Sequence, residues 1–150
     1  GMDPGEIRQV ISAAKTMGMS VMAHANGAET VRAAAEAGVD SVEHGAYLNR
    51  DALQACADNG VIWVPTLSAI GNLRGKGRFS EPDVERILAS AMENVALYAS
   101  MGGLIAPGTD AGAWAVPHGS LTEYALLKEC LGSGWETLLE RGARALEARF

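Results

Sequence analysis

Residues 21–45, VMAHANGAETVRAAAEAGVDSVEHG, contain one complete unit of the plan on which the chain is built. A short apolar run ends at His24, a helical pattern over residues 28–37 stops at Gly38, and a second short run over residues 41–44 ends at His44. The run at residues 19–25 is too short for a helix and too uniformly apolar for a strand with one wet face, so it predicts a strand buried on both sides. Two strands separated by a helix are joined by a crossover, which makes them parallel.

The unit repeats outward. Upstream, Asp3, Pro4 and Glu6 supply an N-cap, a first-turn proline and a capping-box acid, and Ile7, Val10, Ile11, Ala14 and Met17 follow at helical spacing until Gly18. Downstream, Asn49 caps a helix that stops at Gly60, and residues 61–67 form a third strand. Residues 68–79, with Gly71, Gly75 and Gly77, predict a mobile loop. Ser80 caps the longest helix, with Val84, Ile87, Leu88, Ala91, Val95 and Tyr98 on one face, and residues 103–109 give the fourth strand. A loop with Trp114 and Pro117 then leads to helices over residues 120–131 and 135–148.

This alternation predicts an α/β domain over residues 1–150 with about four parallel strands and crossover helices. A complete barrel of eight strands takes ~250 residues, so four strands amount to half of a TIM (β/α)8 barrel. An open doubly wound sheet fits the same periodicity.

Composition removes other classes. Eighteen acidic and 12 basic side chains leave a net charge of −6, which argues against nucleic acid as a partner. Charged positions interrupt every apolar run before the ~18 residues of a membrane span. Cys56 and Cys130 lie in helical stretches, where a thiol serves as a small apolar group, and no CxxC pair is present. No secretory apolar segment precedes the first helix, so a soluble cytoplasmic protein is expected, with Gly1 read as a residue left by tag removal.

Parallel α/β sheets gather functional groups at the C-terminal ends of their strands. His24 and His44 both stand there, each followed by a small residue and then a crossover helix. A lone histidine is more often a satisfied core or surface residue, but two in the same place of successive units are not independent. A buried imidazole needs partners for both nitrogens, and a metal plus an acceptor supplies them. Asp110 ends the fourth strand within APGTDAG at residues 106–112. Its ordinary reading is an Asx turn or an N-cap, whereas Pro107, Gly108 and Gly112 around it suit a carboxylate exposed beside a ligand. Arg74, Lys76 and Arg78 read as a solvated loop rather than a carboxylate clamp. Trp63, Trp114 and Trp135 are too dispersed to predict a binding platform.

The order VMAHANG (21–27), SVEHG (41–45), VPTL (64–67), PGTDAG (107–112) and PHG (117–119) resembles the imidazolonepropionase-like and dipeptidase-like branch of the amidohydrolase superfamily. The resemblance runs from about residue 3 to residue 132, and the combination is specific although no single string is. It implies strands five to eight of a barrel that carries one or two divalent metals, usually zinc, at its C-terminal face. It implies that His24 and His44 are metal ligands, and that Asp110 touches the metal and acts as the general base toward the attacking water. His118 would contact substrate or stabilise developing charge, or else be a solvated loop histidine.

The family's HxH pair, its fourth-strand lysine or glutamate and its small β domain have no counterpart here, and Lys15 falls on the first helix. The implied activity is hydrolysis of carbon–nitrogen bonds (amide, peptide or cyclic amide) in a small-molecule substrate by metal-activated water, carried here as a half that turns over weakly or not at all alone. Two alternatives stand beside it: a noncatalytic α/β domain that self-associates, and a phosphate-binding barrel with an anion cradle at residues 112–120. Open sheet edges and an uncovered face predict a homo-oligomer, the cover coming from a second copy or from the terminal helices.

Overall fold

Asp3 opens the fold as its sequence predicts. Its carboxylate accepts from the Gly5 and Glu6 N–H groups while Glu6 accepts from the Asp3 N–H, which starts α1 (Pro4–Thr16). The computed structural model describes residues 1–112 and 115–150, so Trp114 of the expected loop lies outside the described residues. After α1 come β1 (Met22–Ala25), α2 (Ala28–Glu36), β2 (Ser41–His44), α3 (Arg50–Asp58) and β3 (Ile62–Val64). The chain continues through α4 (Leu67–Gly71), α5 (Glu81–Ser100), β4 (Leu104–Ile105), α6 (Thr122–Leu131) and α7 (Trp135–Glu147). Asn49 caps α3 through the Ala52 N–H as expected, whereas Ser80 occupies the N-cap of α5 without a side-chain capping bond.

Within the four-stranded sheet every pairing is parallel and the strands lie in sequence order, β1-β2-β3-β4. A doubly wound sheet would reverse direction and place a later strand on the far side of the first. The winding here never reverses, which is the rule of a barrel, and the four strands form part of one.

Register sorts the side chains into two faces. Ala23, Val42, Trp63 and Ile105 form one row and meet the helices, where Val31, Leu53, Leu88, Val95 and Tyr98 are fully buried. Each such side chain contributes roughly 1.5–3 kcal/mol by leaving water. Met22, Ser41, Ile62 and Leu104 share the opposite face, with His24, Glu43 and Val64 two residues further along.

Helix α7 covers part of that opposite face. A Cβ at Gly142 would lie 1.9 Å from the Ile105 carbonyl oxygen, so only glycine lets α7 come this close to β4. Beyond that crossing, Ala145 and Leu146 pack on Ile62, Val64 and Ala106. The terminal helix therefore supplies cover at β3 and β4. It does not reach β1, where Met22 is 52% exposed and a groove of about 370 Å³ runs between α1 and the strand, lined by Val10, Ile11, Met22 and His24 among others.

Several expectations are corrected. The strand expected to be buried on both faces is an edge strand with exposed Met22 and His24, because the second covering layer ends before reaching it. The third strand stops at Val64, since Pro65 cannot donate to the ladder and Thr66 turns left-handed at φ 49°, and Leu67 starts α4. The region read as a mobile loop thus begins with a helix, and it is tied onward by Arg74 to Glu85 at 2.6 Å and by the Gly75 N–H to Glu81. The fourth strand is only two residues long, ending ahead of Pro107. Cys56 and Cys130 are free thiols, pushed up to about 12 and about 11 by burial, as small apolar residues would be placed.

Candidate functional site at the C-terminal strand ends

All four non-glycine residues with positive φ among the described residues lie at a strand end or in the segment that follows one: His44 at 70° and Tyr47 at 62° for β2, Thr66 at 49° for β3 and Asp110 at 51°, five residues past β4. Left-handed backbone costs an ordinary residue about 1–2 kcal/mol, and most for a β-branched one such as Thr66. Backbone strain of this kind clusters at binding and active sites, which makes this end of the sheet the candidate site.

His44 is fixed from several directions. Its Nδ1 lies 2.7 Å from Thr66 Oγ1, and its carbonyl accepts from the Trp63 indole N–H at 3.0 Å. The indole passes so close that a Cβ at residue 45 would sit 2.6 Å from it, and Gly45 also adopts φ 62°, which explains the glycine after the histidine on two counts. Asn26 accepts from the Ala46 N–H at 2.8 Å and the Gly27 N–H donates to the Ala46 carbonyl, so the loops after β1 and β2 move as one.

The rings of His24 and His44 meet edge to face with centroids 4.3 Å apart. Burial holds His44 below the ordinary histidine value, the neighbouring His24 pushes the same way, and Asp110 pulls the other way. The three sequence-derived candidates therefore share one electrostatic neighbourhood. His24 and Asp110 are exposed and His44 is half-buried. With Nδ1 engaged by Thr66, His44 has Nε2 left for a ligand, the arrangement that orients an imidazole for a metal.

The donors thus fit a divalent cation in kind. Among the described residues, however, no group of three or more His, Cys, Asp or Glu side chains is gathered closely enough to hold an ion. The chain presents a pair of imidazoles in contact, with the Asp110 carboxylate near enough to act on His44 electrostatically.

His118 is exposed, and its ring lies against Gly112, within 3.6 Å of where a Cβ at that glycine would be, which places it beside the turn carrying Asp110. Arg74 is spent on Glu85, in keeping with the solvated-loop reading.

Sequence reasoning missed three residues here. Glu43 is half-buried in register with His24; burial holds its carboxyl up, against a 2.8 Å bond from Ser41 Oγ. An acid inside a run of apolar strand residues was the available signal. Thr66 lay in a quoted string without a role. Glu123 resembled an ordinary first-turn helix acid, yet it is fully buried beneath the site.

The model of the amidohydrolase family matches residues 1–150. A Xaa-Pro dipeptidase, whose crystal structure has methionine bound in the active site, superposes with a TM-score of 0.79 at 29% identity over 99% of this chain and 39% of its own. A putative prolidase from Bifidobacterium longum gives 0.79 at 25% identity, over 99% of this chain and 41% of its own. An uncharacterized protein of Mycobacterium tuberculosis is 27% identical over 149 residues, 95% of this chain and 40% of the relative. The chain thus spans about 40% of the length of the relatives it matches. The family match over its full length, together with the sequential parallel sheet and its strand-end histidines, shows that the chain belongs to the amidohydrolase family.

Proposed function

We propose that this chain supplies the His24, His44 and Asp110 side of a metal-dependent hydrolase that cleaves carbon–nitrogen bonds in a small-molecule substrate, with zinc as the metal. The observation that carries this reading is the edge-to-face histidine pair at the C-terminal ends of adjacent strands, with His44 Nδ1 tied to Thr66. When bound, such a cation polarises a carbonyl and acidifies water. His24 and His44 would provide the nitrogen donors, and the lowering of the His44 pKa by burial favours the unprotonated form that a metal requires.

Asp110 stands in the turn five residues past β4, on a left-handed backbone with its side chain exposed. From there it acts as the general base: its carboxylate accepts a proton from the attacking water and passes it to the leaving nitrogen. His118, beside the same turn, contacts the substrate. Names of similar structures, a Xaa-Pro dipeptidase and a putative prolidase, make Xaa-Pro dipeptides the first substrates to try.

The test is calorimetric titration of the chain with Zn(II), alongside His24→Ala and His44→Ala, followed by dipeptide hydrolysis assays. Measurable binding lost in either variant is expected, with turnover far below the enzyme median of ~10 per second, because a catalytic zinc generally keeps three protein ligands. Variants that bind zinc as the parent does would overturn the assignment of the histidines.

A further inference from the structure

Glu123, on α6, has no exposed surface, and its Oε1 meets no hydrogen-bond partner among the described residues. Its Oε2 accepts from the Ser68 N–H at 2.6 Å, across 55 residues of chain. Ser68 is also fully buried, and its hydroxyl donates to the Thr109 carbonyl at 2.8 Å. Thr109 precedes Asp110, and Thr109 Oγ1 accepts from the Ala111 N–H, closing the turn around the left-handed aspartate. Two residues before Ser68 stands Thr66, whose hydroxyl meets His44 Nδ1. One buried carboxyl therefore anchors the segment that reaches both His44 and Asp110.

We propose that Glu123 is a positioning residue for the site: by holding the Ser68 backbone it sets Thr66 against His44 and the Ser68 hydroxyl against the Asp110 turn. This rests on the site reading above and adds a residue that touches neither substrate nor metal. Helix α4 is only five residues long, so capping it does not account for burying a carboxyl with one oxygen unpartnered. Burial raises the Glu123 pKa, the Ser68 N–H and hydroxyl and the Leu67 N–H opposing, and glutamine copies the shape of the side chain and its acceptor. An acceptor held by backbone N–H groups on one element, and coupled through a hydroxyl to another, is how a supporting shell fixes reactive groups to within a fraction of an ångström.

The experiment compares Glu123→Leu and Glu123→Gln in the full chain by NMR of the His44 ring nitrogens and the Asp110 amide, then by Co(II) titration. Folded Glu123→Leu is expected to move both signals and to weaken Co(II) binding about tenfold, with Glu123→Gln restoring both. Two single-branch variants keep the proposal testable if Glu123→Leu fails to fold. Ser68→Ala should move the Asp110 signal alone, and Thr66→Val the His44 signal alone. Unchanged His44 and Asp110 signals in folded Glu123→Leu, or in both branch variants, would overturn the proposal and leave Glu123 a purely structural cap. A parent chain that binds no Co(II) would retire the metal reading, while the NMR arm still decides the positioning role.

Discussion

The two ends of the sheet use charge in opposite ways. At the N-terminal end, Asp40 is buried ahead of β2, where it accepts from Lys15 of α1, from the Val21 N–H and, at 2.9 Å, from the Arg149 guanidinium near the C-terminus. Ser20 adds a bond to the Arg149 carbonyl at 2.6 Å. These groups satisfy one another, and the last turn of α1 and the C-terminus of the chain are drawn onto the bottom of the sheet. At the C-terminal end, His24 and Asp110 are exposed, and among the described residues the backbone is left-handed at four non-glycine positions and Glu123 keeps an oxygen without a partner. Charges that neutralise each other hold a fold together. Charges kept apart on strained backbone are left available to a ligand.

Removing Asp40 breaks that contrast most severely. Asp40→Ala leaves a buried Val21 N–H without an acceptor and two cations without their anion, and should cost about 3 kcal/mol, tempered by the partial exposure of Lys15 and Arg149. The urea midpoint should fall at constant m-value while the His24–His44 ring contact persists by NMR. A loss below about 0.5 kcal/mol would show that the clasp is ornamental.

A pH series sharpens the comparison, because the two buried acids shift in opposite directions. Burial alone would raise the Asp40 pKa, but its bonds to Lys15, Val21 and Arg149 win and hold it below the ordinary value of about 4. Its stabilisation is therefore full above that value and lost as pH falls through the lower folded pKa. Glu123 is raised by burial, so its contribution is full below its unfolded pKa and lost as pH rises through the folded one. Urea midpoints from pH 3 to 8 should show Asp40→Asn flattening the acid side and Glu123→Gln flattening the rise-in-pH side. Parallel curves for both variants and parent would contradict these assignments.

The smallest expected effect on stability is at Thr66. Thr66→Gly relieves left-handed strain worth about 1 kcal/mol and gives up a buried methyl and a hydrogen bond of similar size, so the fold should hold within about 1 kcal/mol. The His44 ring should nonetheless lose its fixed orientation, seen as averaging of its NMR signals and weaker zinc binding. A destabilisation as large as that of Asp40→Ala would place Thr66 with the structural end of the sheet instead.

Local sequence determined the alternation of elements, the capping box at Asp3, the cap at Asn49 and the placement of His24 and His44 at strand ends, whereas Asp110 falls five residues past the short β4. Those features depend on spacing, turn chemistry and side-chain length within about ten residues, which a single sequence displays. Only the tertiary structure decided the direction of winding, the register that sets Glu43 beside His24, and the stop of the third strand at a left-handed Thr66. It also decided that one first-turn helix acid, Glu123, is buried under the site, and that α7 covers one half of the inner face and leaves β1 open. The bonds behind these outcomes join residues 55 apart for Ser68 and Glu123 and 109 apart for Asp40 and Arg149. A carboxylate on a helix has the same local pattern whether water or a distant backbone N–H completes it, and that choice is made only when the elements pack.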